Sequence, residues 1–182
     1  MTTLSRPERV AVARLQALLE LLPTALDRQL TTAGITAFEY ALLEALVESE
    51  NKRLRLSALA ARTNASLPRL SRVVSSLERK GLVERMPCPA DSRATNAVLT
   101  RKGEKAYDVS RGLYADAVRS LVLDALDGPD VDDLARMTLA VLTKLDPEGR
   151  LTVTAGQACP ADPAQSAEPA CPADPACPAD PA

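Results

Sequence analysis

The sequence predicts a mainly α-helical fold carrying one small β-wing. Three observations lead there. Apolar residues recur at steps of three and four along most of the chain as far as Leu145, the spacing of one helix face. Aromatic residues are nearly absent, with one Phe, three Tyr and no Trp, so the core is built from Leu, Val and Ala, which favours packed helices over a β-sandwich. One stretch breaks the helical pattern: two short β-prone runs, 82–86 and 95–99, flank a loop containing Pro87 and Pro89.

The elements follow in order. Ser5 to Glu8 fits a capping box with Pro7 in the first turn, opening a long helix through Val10, Ala13, Ala17, Leu18, Leu21 and Leu22 toward Leu30. Pro23 is expected to kink or tighten that helix, and Gly34 to end it. Thr36 and Glu39 form a second capping box for a helix reaching about Glu48, followed by a polar loop at 49–55. A short helix at 56–62, a turn at 63–65 and a further helix capped by Ser66, with Pro68 in its first turn, come next. That helix runs to Lys80, and Gly81 supplies a left-handed stop. After the wing, Thr100 caps a long helix from about Arg101 to Leu126; Gly128 and Pro129 are expected to break it before a last helix at 130–145.

The 182 residues divide into one domain, 1–148, and a tail rich in Pro, Ala and Asp, 149–182, in which the hexapeptide CPADPA occurs three times. Such a composition cannot bury enough apolar surface to offset ordering entropy, so the tail is expected to be disordered or polyproline-like. The chain has no His, which removes Ser-His-Asp and Cys-His catalysis and every His-ligated metal site. The four Cys show no C-x-x-C spacing. Neither a metal, a cofactor nor an enzymatic activity is expected. No apolar run approaches the roughly 20 residues of a membrane span, and the polar start has no signal-peptide core, so a cytoplasmic protein is expected.

Net charge is −2, but it is unevenly distributed. Between Lys52 and Lys105 stand 13 Lys and Arg against 4 Asp and Glu; the rest of the chain holds 9 basic and 20 acidic residues. A basic middle between acidic ends is the electrostatic footprint of a nucleic-acid partner. Within it, Leu67, Leu70, Val74 and Leu77 share one helix face, expected to pack inward, while Arg69, Arg72, Ser76 and Arg79 recur on the nearly opposite face. A short helix, a three-residue turn and this second helix make a helix-turn-helix. In that geometry the start of the second helix enters the major groove, which makes Ser66, Pro68, Arg69, Arg72 and Ser76 the candidate reading residues, with Arg79 nearer phosphate or solvent. A charged stripe opposite an apolar one is also the ordinary look of a solvated helix. The basic window, the preceding short helix and the strand-loop-strand that follows tip the balance toward double-stranded DNA. At the wing tip Arg93 can enter the minor groove, and Asp91 can orient its guanidinium. A basic face that meets an acidic protein is the competing reading.

The segments LSALAARTNASLPRLSRVVSSLERKGLVER and CPADSRATNAVLTRKG resemble the MarR family of bacterial winged-helix transcriptional regulators, over about 4–145 of the chain. The Asp-x-Arg wing and the Leu-Thr-x-x-Gly that follows it carry the resemblance in combination; Ser92 stands where the family often has a first Arg. The resemblance implies a winged helix-turn-helix joined to a helical dimerisation region made by the first helix and the last two. It also implies a homodimer on a pseudo-palindromic operator, and repression relieved by a small, often aromatic, effector. The apolar residues Leu113, Val118, Leu121, Val122, Leu134, Val141, Leu142 and Leu145 are many for helices packed by one small domain, in keeping with a dimer. Tyr40, Tyr107 and Tyr114 are candidates to line an effector pocket, though structural burial is the favoured reading. Some members respond to thiol oxidation; Cys88 is the candidate redox thiol here, with Arg85 as its neighbouring cation.

Overall fold

A computed structural model of the chain describes residues 3–88, 91–151 and 153, without the side chains at 91–93. The expected tail from 154 onward lies outside the described residues. In chain order the elements are α1 (Arg6–Gln29), α2 (Ala37–Val47), β1 (Arg53–Arg55), α3 (Leu56–Arg62), α4 (Leu67–Arg79), β2 (Val83–Cys88), β3 (Asp91–Leu99), α5 (Arg101–Leu121) and α6 (Gly128–Leu145). The three strands form one antiparallel sheet in the order β1-β3-β2. The architecture is mainly α with a small β-wing, as the sequence predicts.

Both N-terminal capping boxes form. The Glu8 carboxylate accepts from the Ser5 amide at 2.6 Å, and Glu39 accepts from the Thr36 amide at 3.0 Å while the Thr36 hydroxyl accepts from the Glu39 amide at 3.1 Å. Pro23 lies inside α1, which is assigned as one helix across it. Asp27 fastens the end of α1 to the start of α2 by accepting from the Ala37 amide at 2.7 Å. At the end of α4 the Leu82 amide reaches the Leu77 carbonyl and the Gly81 amide reaches that of Glu78. That double bond pattern needs a left-handed residue, and Gly81 provides it at φ 70°.

Two expectations are corrected. The segment 49–55 is not all loop: a turn at Glu50–Lys52, with Asn51 and Lys52 at φ 53°, brings β1 back along β3. Gly128 and Pro129 do not break a helix but begin one. The long helix ends at Leu121, a short 3-10 turn at Leu123–Ala125 follows, and α6 opens with Pro129 in its first turn, where a missing amide costs no hydrogen bond.

The core lies where α2, α3, α4 and the sheet meet. Leu42, Leu43 and Leu46 of α2, Leu59 of α3, Leu70, Val74 and Leu77 of α4 and Val83 of β2 are buried there together. By contrast α1 and α6 bury no residue of their own in this single chain.

The Leu-Thr-x-x-Gly sequence has a physical explanation. The Thr100 hydroxyl accepts from the Gly103 amide at 3.0 Å, capping α5, and lies within hydrogen-bonding distance of the Gly81 and Leu82 carbonyls at 2.8 and 3.1 Å. The first turn of α5 therefore sits directly on the chain that links α4 to β2. Only a residue without a side chain fits at Gly103, because a Cβ there would stand 2.1 Å from the Leu82 carbonyl oxygen.

Candidate nucleic-acid interface

Helix α4 presents a sharply divided surface. Leu70, Val74 and Leu77 are fully buried, whereas Ser66, Pro68, Arg69, Arg72 and Arg79 are exposed. Ser66 takes the capping position in extended conformation, but its side chain makes no capping hydrogen bond. Arg69 and Arg72 are held without being neutralised. The Arg69 guanidinium lies 4.2 Å over the centre of the Phe38 ring on α2, a cation–π contact, and Arg72 Nε donates to the Pro68 carbonyl at 3.3 Å. Neither they nor Arg79 form an ion pair among the described residues. Four other cations of the basic window are ion-paired, among them Lys52 with Glu104 at 2.8 Å and Arg62 with Glu48 at 2.6 Å.

Leu67 departs from its expected place. The apolar spacing groups it with the inward face, yet it is 53 % exposed. The cause is its position as the first helical residue: side chains on a helix lean toward the N-terminus, so those of the first turn overhang the end rather than the core.

Ser76 also differs from the expected reading set. It is half-buried and turned toward α2, where its hydroxyl donates to Glu39 Oε1 at 3.0 Å. Glu39 itself is only 4 % exposed and receives Lys80 Nζ on Oε2 at 2.6 Å, so one carboxylate both caps α2 and binds the C-terminal half of α4. The opposite flank of α4 is fixed from the wing. Arg85 on β2 donates to the Ser71 carbonyl at 2.9 Å and to the Ser75 hydroxyl at 3.0 Å, and it pairs with Glu78. Neither Glu39 nor Arg85 stands out in the sequence as a brace. On α4 the partners of Glu39 lie 37 and 41 positions away and those of Arg85 lie 7, 10 and 14 away, and no single periodic spacing points to them.

The hairpin beside α4 is longer than the runs at 82–86 and 95–99. Met86 pairs with Asn96 and Pro87 with Thr95, and the register shifts between Pro87 and Cys88. Pro87, with no amide proton, is tolerated because β2 is an edge strand. The backbone of Asp91 and Arg93 belongs to β3, but their side chains lie outside the described residues, and with them the contacts expected of the wing tip. Cys88 is buried, and the cation beside it is Arg55, whose Nη2 donates to the sulfur at 3.6 Å; Arg85, the expected neighbour, is engaged on α4.

Tyr40, Tyr107 and Tyr114 gather where α2 meets α5. The Tyr40 ring stacks on Tyr114 at 4.2 Å and on Tyr107 at 5.6 Å, and its hydroxyl donates to Glu44 at 2.6 Å. Burial, reinforced by the Glu44 carboxylate, pushes the Tyr40 phenol well above its ordinary range and raises that of Tyr114, so both stay protonated across the physiological range.

Among the described residues no helix is long and apolar enough to cross a membrane, and no cluster of three or more His, Cys, Asp or Glu could hold a metal ion. The profile of the MarR family matches residues 33–94, which span α2 to the wing. Sco3205 of Streptomyces coelicolor, a MarR family transcriptional regulator solved in complex with DNA, is 34 % identical over 81 % of this chain and 92 % of its own, with a TM-score of 0.77. AbsC of the same organism is 30 % identical over 81 % of this chain and 99 % of its own, with a TM-score of 0.75. CouR of Rhodococcus jostii, solved with p-coumaroyl-CoA, shares the fold at 19 % identity and a TM-score of 0.60, over 70 % of this chain and 87 % of its own. No curated protein matches the chain significantly. A helix-turn-helix that keeps its arginines exposed, backed by a β-hairpin and matched in sequence and shape by these regulators, places the chain in the MarR family of transcriptional regulators.

Proposed function

We propose that this regulator is a homodimeric repressor that binds a pseudo-palindromic operator through the start of α4 and leaves it when a small aromatic effector binds. One observation carries the reading: Ser66, Pro68, Arg69 and Arg72 are exposed together at the start of α4, a helix held on both flanks by Glu39 and Arg85. The DNA complex of the 34 % identical Sco3205 supports it. An exposed Arg in the major groove can form two hydrogen bonds to guanine O6 and N7. By the same proposal Arg93 of the wing is the candidate for the neighbouring minor groove and Asp91 the candidate to orient it.

The dimer rests on α1 and α6, which carry Leu18, Leu19, Leu21, Met137, Val141 and Leu145 on open surface. Apolar side chains in such number on two long helices call for a second copy. Sedimentation is expected to give twice the 19.3 kDa chain mass, with half-sites about one helical turn apart on the operator. The effector reading takes its support from CouR, a structure of the same fold solved with p-coumaroyl-CoA; the tyrosines at the α2–α5 junction stack on one another within the core. A thiol-based input is a second reading, favoured by Arg55 beside Cys88, since a neighbouring cation promotes the thiolate. Release by phenols but not by peroxide selects the first, and peroxide release abolished by Cys88→Ser selects the second.

The direct test compares two arginines by fluorescence anisotropy on the selected operator and on random duplex. Arg72→Ala is expected to lose about 1–3 kcal/mol on the operator and to flatten base preference. Arg79→Ala is expected to weaken both duplexes alike and to lower the salt slope, which is near −0.9 per neutralised phosphate. Equal losses on both duplexes for Arg72→Ala would remove it from base reading.

A further inference from the structure

We infer that Leu67 reads the 5-methyl group of a thymine in the operator, an assignment that rests on α4 being the reading helix. The amphipathic pattern of α4 has an inward place for a leucine, which Leu70, Val74 and Leu77 fill, and Leu67 is not part of it. Its side chain stands more than half exposed at the first helical position, the part of a reading helix that goes deepest into the groove. Pro68 beside it is exposed and apolar as well, and Arg69 and Arg72, further round the same turns, are exposed cations. The start of α4 thus exposes apolar and cationic side chains together.

That combination selects its ligand by chemistry. The major-groove edges of guanine, cytosine and adenine are read mainly through hydrogen-bonding groups, and the thymine methyl is the one alkyl group displayed there. A solvated or phosphate-facing position would be served by a polar residue, and a Leu placed against a base edge without a methyl would strip water from polar atoms and give nothing back. Thymine recognition by Leu67 therefore complements guanine recognition by the neighbouring arginines, and the two together define a half-site more narrowly than charge alone.

The experiment removes the methyl and nothing else. An operator is selected from a random duplex library with the full chain, and each thymine of a half-site is replaced in turn by deoxyuridine. At one thymine the parent protein is expected to lose affinity about four-fold, the worth of one buried methyl group. Leu67→Ala is expected to bind the unmodified operator more weakly than the parent and to show no further loss on the deoxyuridine duplex. Folding is not at stake, because Leu67 lies outside the core. If no replacement weakens the parent, or if Leu67→Ala loses as much as the parent at the same thymine, the assignment falls while DNA reading by α4 stands. If no duplex is enriched at all, α4 is not a reading helix, and both fall together.

Discussion

Gly103→Ala is expected to destabilise the protein by at least about 3 kcal/mol, read as a lowered midpoint in urea denaturation. The added carbon would stand 2.1 Å from the Leu82 carbonyl oxygen and 2.7 Å from Leu99 Cδ1, and the first of these is backbone that cannot rotate away. Relief requires the first turn of α5 to lift from the link between α4 and β2. That movement breaks the contacts of Thr100 with the Gly81 and Leu82 carbonyls. Loss of operator affinity is expected to accompany the loss of stability, because the same link sets the wing against α4. Gly112 in the same helix is the control: no atom lies within 4 Å of a Cβ there, so Gly112→Ala is expected to stabilise by about 0.5–1 kcal/mol through helix propensity. Equal stability of the two variants would mean that the close approach at Gly103 is not a real constraint.

Glu39→Ala is expected to cost about 2–4 kcal/mol. The carboxylate is almost wholly buried and serves three donors: the Thr36 amide, the Ser76 hydroxyl and the Lys80 ammonium. Removing it takes away half of the α2 capping box and leaves a half-buried hydroxyl without its acceptor. Lys80, itself about one-third exposed, recovers part of its loss in water, which keeps the cost below that of breaking a fully buried pair. A double-mutant cycle with Ser76→Ala separates capping from bracing. A coupling of 0.5 kcal/mol or more is expected if Glu39 holds α4 through Ser76, and strict additivity would confine Glu39 to its capping role.

The parts of the fold governed by local rules were legible. Ser5, Thr36 and Thr100 cap the helices they were expected to cap, α3 spans its expected residues, and Gly81 stops α4 in the left-handed conformation. What was not legible depends on chain segments meeting from afar. A three-residue strand such as β1 has almost no intrinsic signal and exists because β3 offers it an edge. Periodicity treats a helix as endless, so it placed Leu67 inward, although the first turn of α4 projects beyond the core. It likewise put Ser76 with the arginines, whereas the buried Glu39 carboxylate draws that hydroxyl toward α2. Arg69 and Arg72 are exposed as expected; the Phe38 ring beneath Arg69 had no local signature, since it comes from α2.

The fastening of α4 along both flanks limits how this molecule can be switched. Glu39 grips it from α2 and Arg85 from β2, so tilting the rod inside its own head would rupture polar contacts on two sides at once. Moving the entire head as a rigid body breaks none of them. In the proposed dimer, an effector acting between the heads would therefore have one inexpensive coordinate available, the separation and relative rotation of two intact heads. Operators whose half-sites are spaced one base pair wider or narrower should mimic its action without any inducer present.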